Sequence, residues 1–432
     1  DVFCGTLNRF GSIDISATKV GEDSSLQRLI RMVQDAENKQ APMQRLADRV
    51  ASWLVPAALL IAVAAYIGTG NLVTAVTVLV VFCPCALVLA TPTAIMAAIG
   101  QATRHGVIIK SGEALEKMGR VDTVAFDKTG TLTYGRLAVS DILPFDGSVD
   151  ETALLSLAAS AEARSEHPLG KAIVACAKAA GAPIHPSAAF KMDAGKGIRA
   201  EVQGRRMLCG SEKFLKENGV STDSTALSAL ERLREEGKAS ILVACEGRCI
   251  GVIALSDVLR PEAKEMVSRL AAMQTRTVLL TGDHEKAARY FAGQVGICDV
   301  RAELLPEEKV LSIEKLQREN HRVCMIGDGV NDAPALKTAD VSVAMGSDIA
   351  IDAADIALMS DDLSKIPYLK RLSNATVATI KASIALSMTI NLAAIVLSLL
   401  EVLNPTTGAL VHNAGSCFVV LIAALLYDRK FE

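Results

Sequence analysis

Residues 121–131 read VDTVAFDKTGT: a short apolar run rich in β-branched and aromatic side chains, passing directly into Asp127-Lys128-Thr129-Gly130-Thr131. A run of this kind closed by a glycine-containing turn predicts a strand buried on both faces. Two later segments have the same shape. TRTVLL (275–280) runs into Thr281-Gly282-Asp283, and RVCMI (322–326) runs into GDGVND (327–332). Helical patterns lie between them, so an α/β domain with a parallel sheet is predicted. In such sheets ligands bind beyond the carboxyl ends of the strands, and the three turns are expected to converge on one site.

The residue types at those turns suit phosphoryl transfer. A carboxylate at a strand tip can attack phosphorus and form an aspartyl-phosphate, which divides one difficult hydrolysis into two easier steps; Asp127 is the candidate nucleophile. The plainer alternative is a turn-initiating Asp with Gly130 in the bend. Carboxylate and phosphate repel unless a cation lies between them, and Asp328 and Asp332 are the natural suppliers of Mg²⁺ ligands. Gly327 and Gly329 let backbone approach the phosphate, and Asn331 adds a neutral hydrogen-bonding group. Thr281 and Gly282 can donate to phosphate oxygens, and Lys309 in LLPEEKV can offset the charge that develops on them. Taken alone, Lys309 reads as an ordinary surface lysine.

With 432 residues, several domains are expected. Hydrophobic residues make up 50% of the chain while charged ones still reach 22%, so the charge must be segregated along it. A net charge of -3 and one Trp argue against nucleic-acid binding. Four stretches, 50–69, 71–100, 382–400 and 402–427, carry no Asp, Glu, Lys or Arg. Each approaches or exceeds the ~20 residues of a bilayer crossing. The second is too long for one straight span, and Pro84 and Pro92 offer places to break it. Lys39, Arg45, Arg49, Arg104, Lys110, Lys370, Arg371, Lys381, Arg429 and Lys430 flank the spans on one side, which is therefore expected to be cytoplasmic.

Cys83-Pro84-Cys85 falls in the middle of the second stretch. Thiolates are soft ligands for Cu(I), Zn(II) and related ions, and a proline that breaks the helix can turn both sulfurs toward one cavity. A disulfide at this spacing is expected to be strained. Asn391, His412, Asn413 and Ser416 are the polar candidates to complete the ligand set. For His412, a structural histidine hydrogen-bonded near the outer interface is the competing reading.

These strings, in this order and over essentially the whole chain, resemble the P-type ATPases, whose phosphorylation domain is haloacid-dehalogenase-like. The CPC span, with TPT (91–93) and HGVIIKSGEALEKMG (105–119), is similar to the heavy-metal-transporting branch. The fold implied is multidomain: membrane α-helices plus a haloacid-dehalogenase-like α/β phosphorylation domain with an inserted α/β nucleotide-binding domain. The domains implied are an actuator remnant (1–38), a membrane helix pair (39–118), phosphorylation domain (119–138 and 251–368), nucleotide domain (139–250) and a C-terminal helix pair (369–432).

The resemblance implies that ATP phosphorylates Asp127 and that Lys128, Thr129, Thr281, Gly282, Asp283, Lys309, Asn331 and Asp332 complete the catalytic site. It implies Mg²⁺ on Asp127, Thr129 and Asp328, and a transported ion on Cys83 and Cys85. Asp257 and Arg260 in SDVLRP also match the family pattern, though a strand-to-helix cap explains them equally well. SEHPL (165–169) is similar to a string in which the Glu and His, here Glu166 and His167, contact adenine; Gly195, Gly197 and Gly210 resemble glycines that make room for nucleotide.

ATP and Mg²⁺ are the cofactors implied, and a transition-metal cation and the bilayer are the partners. The expected product is an efflux pump, integral to the plasma (inner) membrane with cytoplasmic catalytic domains. The last span lacks the Met and paired Ser typical of copper(I) pumps. It also lacks the Asp, and the third span the Lys, of zinc and cadmium pumps. The reading leans toward a divalent ion of the zinc type, with copper(I) as the alternative. No Thr-Gly-Glu actuator string occurs, so the chain is expected to be the C-terminal part of a longer pump that binds nucleotide without completing transport. A membrane-anchored phosphatase and a non-catalytic metal-binding membrane protein are the rival classes.

Overall fold

The computed structural model describes residues 16, 42–83, 85–145, 147, 149–193, 195–328, 332–345, 354–360 and 362–431. The actuator-like reading of 1–38 lies outside these residues apart from Ser16, and so do Pro84, Gly329 and Asn331. Described strands in chain order are β1 Val107–Ile109, β2 Thr123–Asp127, β3 Thr133–Pro144, β4 Ser187–Asp193, β5 Gly197–Val202, β6 Arg205–Gly210 and β7 Ala239–Cys245. They continue with β8 Arg248–Leu259, β9 Arg276–Leu280, β10 Asp299–Arg301, β11 Val323–Gly327, β12 Val341–Met345 and β13 Ile356–Leu358. Two compact units emerge: the described residues up to 124 together with those from 313 onward, and residues 125–312.

The first unit contains the membrane helices Pro42–Thr69, Leu72–Val81, Cys85–Arg104, Lys365–Leu399 and Pro405–Ala424. Trp53, Leu60 and Ile67 are each more than 70% exposed, as expected of a wall that faces lipid rather than water. Two hydroxyls inside the spans return to the preceding turn, Thr77 Oγ1 to Val73 O at 2.7 Å and Ser398 Oγ to Ala394 O at 2.7 Å, which meets those donors within their own helix. The long charge-free stretch is broken as expected, but at one place only. Helix stops at Val81, capped by Phe82, and restarts at Cys85, whereas it continues through Pro92. The 35-residue helix Lys365–Leu399 is roughly 52 Å long at ~1.5 Å per residue, so its first turns lie outside a ~30 Å hydrocarbon layer.

The same unit holds a sheet in which β11, β12 and β13 run parallel and β1 joins β13 antiparallel. The backbone N–H groups of Asp122 and Thr123 donate to Arg322 O at 3.1 and 3.2 Å where β2 begins. Every residue of β11 and β12 is buried, the signature of sheet covered on both faces.

In the second unit the end of β2 lies beside β9, which pairs in parallel with β10. A separate six-stranded antiparallel sheet has the order β3-β8-β7-β6-β5-β4. Strict alternation divides its side chains between two cores. Met207, Cys209, Val243 and Ile253 meet helices Glu151–Glu162 and Pro168–Ala179, while Leu208, Leu242 and Val252 meet Phe214, Leu215 and Leu233 on the other face. The boundaries read at 138/139 and 250/251 fall inside β3 and β8, two paired twelve-residue strands that pass through both positions.

Candidate functional site

Asp127 is the last residue of β2, buried at 7% exposure. Its carboxylate Oδ1 accepts from the Lys309 ammonium at 2.6 Å. Lys309, named for this site by family resemblance although a lone lysine in a charged helix reads as surface, is itself buried; a buried ammonium is stable only when its protons are met. Its helix, Pro306–Arg318, starts directly after the Leu304 N–H donates to Thr281 O at 3.0 Å, so the TGD turn and the lysine are built as one piece. Asp283 forms an ion pair with Lys128, and Asp283 N donates to Thr281 Oγ1 at 3.2 Å. Gly282 approaches backbone closely: a Cβ there would lie 3.3 Å from Leu304 O.

After Asp127 the chain turns at Gly130, whose φ of +74° lies in the left-handed region where a side chain is strained. Asp257 on β8 and Arg260, the residue after that strand, support this turn. Asp257 accepts from Thr133 Oγ1 and, at 2.9 Å, from Arg136 N. Arg260, 2% exposed, donates to Gly130 O at 3.3 Å and Thr133 O at 3.2 Å and lies over the Tyr134 ring. Both residues thus brace the loop rather than merely cap a helix.

Asp328 and Asp332 belong to the first unit, at the end of β11. Asp332 is 1% exposed, and a Cβ on Gly327 would sit 3.1 Å from its Oδ2, so glycine lets that carboxylate fold back over the strand end. Carboxylate oxygens of this kind are the donors Mg²⁺ prefers.

A cavity of about 220 Å³ opens beside β5 and β6. It is smaller than the ~300 Å³ at which ligand pockets usually begin, a size for one ring system rather than a whole nucleotide. His167, Gly195, Gly197 and Gly210 line it, and Glu166 does not; that side chain is exposed. The acid on the cavity is Glu162, 4% exposed, whose carboxyl is pushed up by burial against the opposing hydrogen bond from Ser165. Gly170 makes this possible, since a Cβ there would fall 2.4 Å from Glu162 Oε2.

The glycines also divide differently from the expectation. Space is open only at Gly195. Built Cβ atoms on Gly197 and Gly210 would each meet the Phe214 ring at 2.7 Å, so these two also allow close strand-to-strand packing at the cavity wall.

In the membrane unit, ligand atoms of Cys83, Cys85 and His412 all lie within 4.8 Å of one another. Gly408 and His412 share one face of helix Pro405–Ala424, and a Cβ on Gly408 would sit 2.9 Å from Val81 Cγ2, which draws His412 against the helix break. His412 is buried with its ring against the Val81 backbone, and Ser416 Oγ is buried with no hydrogen-bond partner among the described residues. Asn391 Nδ2 donates to Cys83 O at 3.3 Å and so contacts the loop through backbone. Cys83 and Cys85 are joined as a disulfide, their Cα atoms 5.4 Å apart at the break in the helix, within bonding range. In that form neither sulfur is a thiolate, so metal binding belongs to the reduced pair.

Residues 121–340 match the haloacid dehalogenase-like hydrolase family. The chain is 41% identical over 426 residues to a probable copper-exporting P-type ATPase V of Mycobacterium tuberculosis, covering 96% of this chain and 55% of that protein. It is 37% identical over 441 residues to a manganese-exporting P-type ATPase of Mycobacterium bovis, covering 100% of this chain and 61% of that one. Among solved structures, a zinc-transporting PIB-type ATPase in the E2.Pi state superposes with a TM-score of 0.82 at 34% identity, over 94% of this chain and 68% of that chain. This chain therefore spans little more than half the length of those curated relatives. With the strand-tip carboxylate, the DKTGT turn and the cysteine loop between two apolar helices, these likenesses establish that the chain belongs to the heavy-metal P-type ATPases.

Proposed function

We propose that this chain supplies the phosphorylation, nucleotide and metal sites of an ATP-driven exporter of a transition-metal cation, set in the plasma (inner) membrane with its catalytic domains cytoplasmic. The observation that carries the reading is the buried Lys309–Asp127 contact of 2.6 Å at a strand tip. Asp127 is the nucleophile toward the γ-phosphorus of ATP, and its attack transfers the phosphoryl group to the carboxylate and releases ADP. Lys309 orients that carboxylate and offsets charge on the transferred oxygens; Thr281, Gly282, Asn331 and Asp332 are assigned to the same task. Lys128, held by Asp283, keeps the loop in register. Asp127, Thr129 and Asp328 are the residues assigned to hold Mg²⁺, which when bound neutralises phosphate charge.

The inserted 139–250 region is assigned to nucleotide, with the base in the cavity lined by Glu162 and His167. Glu162→Ala is expected to weaken nucleotide binding about 10- to 100-fold in calorimetry, the scale of a lost hydrogen bond to a charged group, while Glu166→Ala stays within about twofold. The opposite ranking would return the role to Glu166.

Two thiolates and an imidazole form a set that suits Zn(II), and Cu(I) is the second candidate. The grouped ligands contain no carboxylate among the described residues, which disfavours Mn(II). The test is a panel on the full-length, reduced pump, reading acid-stable phosphoenzyme from labelled ATP with Cu(I), Zn(II), Cd(II), Mn(II), Co(II) and Ni(II). Zn(II) and Cd(II) are expected to stimulate most. Strongest stimulation by Cu(I) would establish the alternative, and no phosphoenzyme with any ion would overturn the pump reading.

A further inference from the structure

We propose that Lys370 is a positioning residue of the pump, clamping the segment that leads to Asp127 onto the helix that reaches the metal loop. The inference rests on the transport reading above. Lys370 is 4% exposed, yet it sits in the cytoplasmic turns of helix Lys365–Leu399. Its ammonium donates to Met118 O at 3.1 Å, to Gly119 O at 3.4 Å and to Val121 O. The first two are carbonyls at the end of helix Gly112–Arg120, where a helix leaves acceptors unmet and its dipole favours a cation. Val121 caps that helix, and two residues later β2 begins its run to Asp127.

A second contact fixes the same joint. A Cβ on Gly119 would lie 2.8 Å from Val377 Cγ2 and 3.0 Å from Ser373 O, so the two helices meet with no space for a side chain. Lys370, Ser373 and Val377 fall at i, i+3 and i+7, one stripe of the long helix. Above the joint, His105 stacks on Tyr368 with ring centroids 4.7 Å apart, tying the end of helix Cys85–Arg104 to the same rod. Further along it Asn391 holds Cys83 O. One helix thus grips the segment between the cysteine loop and the phosphorylation strand at both ends. An apolar residue would fill the position at lower desolvation cost; the ammonium adds three directed bonds to backbone, which resist sliding.

The experiment compares wild type, Lys370→Met, Lys370→Arg and Lys370→Gln in the full-length pump. Lys370→Met is expected to lower Zn(II)-stimulated phosphoenzyme about tenfold, nucleotide binding staying within about twofold, while Lys370→Arg recovers most of the loss. A Met variant like wild type, or an Arg variant as impaired as Met, overturns the clamp. If Met also loses nucleotide binding, Lys370→Gln decides: a selective loss of stimulation supports the clamp, and wild-type behaviour or general misfolding overturns it. Failure of the transport reading is told apart because it appears in the unsubstituted pump, as phosphoenzyme indifferent to every metal. The clamp is then judged by tryptic cleavage at Arg104 and Lys110 with orthovanadate as phosphate mimic. A change of about threefold in wild type that Lys370→Met lacks supports it, and an equal change in both, or none in wild type, overturns it.

Discussion

Asp127→Asn is expected to abolish phosphoenzyme formation and to lower metal-stimulated ATP hydrolysis by at least about a thousandfold, the order seen when a covalent nucleophile is removed. The amide keeps the size of the side chain and one carbonyl acceptor for Lys309, 2.6 Å away, so the turn should remain folded. What it loses is the anionic oxygen that bonds to phosphorus. Removing one member of a buried pair outright costs about 3–5 kcal/mol, which is why Asn rather than Ala is the informative change. Nucleotide affinity is expected to stay near wild type, because Glu162, His167 and Gly195 line a cavity to which Asp127 contributes nothing. Hydrolysis surviving above about a hundredth of the wild-type rate would remove Asp127 from the chemistry.

Replacing both Cys83 and Cys85 by Ser is expected to reduce metal stimulation to the basal level while nucleotide binding persists. Serine hydroxyls are harder and weaker donors for Zn(II) or Cu(I) than thiolates, and one imidazole, His412, cannot hold the ion alone. A metal affinity lowered by more than about a hundredfold is the expected scale, since even an outer-shell partner is worth 10- to 100-fold. His412→Ala alone should fall between wild type and the double variant. Equilibrium binding to detergent-purified, reduced pump separates the effect from catalysis. Undiminished stimulation in the double variant would place the cargo elsewhere.

Much of the site was legible because its residues are consecutive. VDTVAF ends in DKTGT, and the rules for buried strands and the need for a nucleophile apply to neighbours in the chain. The helix break at CPC was equally readable, from charge-free length and a proline. Other features were not. Lys309 is 182 positions from Asp127, and as a lone lysine in a charged helix it offered no local signal of burial. Glu166 is named by the resemblance of SEHPL to a family string, yet the turn before helix Pro168–Ala179 leaves it exposed, while Glu162 is buried at the end of the preceding helix. Gly197 and Gly210 looked alike as ligand-room glycines. Strand pairing between β5 and β6 sets them opposite each other beneath Phe214.

Sequence by itself determined the class of fold, the membrane spans and the candidate nucleophile, because periodicity, charge-free length and a five-residue string are local properties that survive without coordinates. Tertiary structure decided that Lys309, a candidate by family resemblance, is buried against Asp127, which glutamate lines the cavity, that His412 rather than Asn391 or Ser416 is grouped with the two cysteines, and that Lys370 is buried on a helix end. The physical reason is that burial and partnership are made by segments far apart in the chain, and a single side chain carries no mark of them until packing excludes water around it.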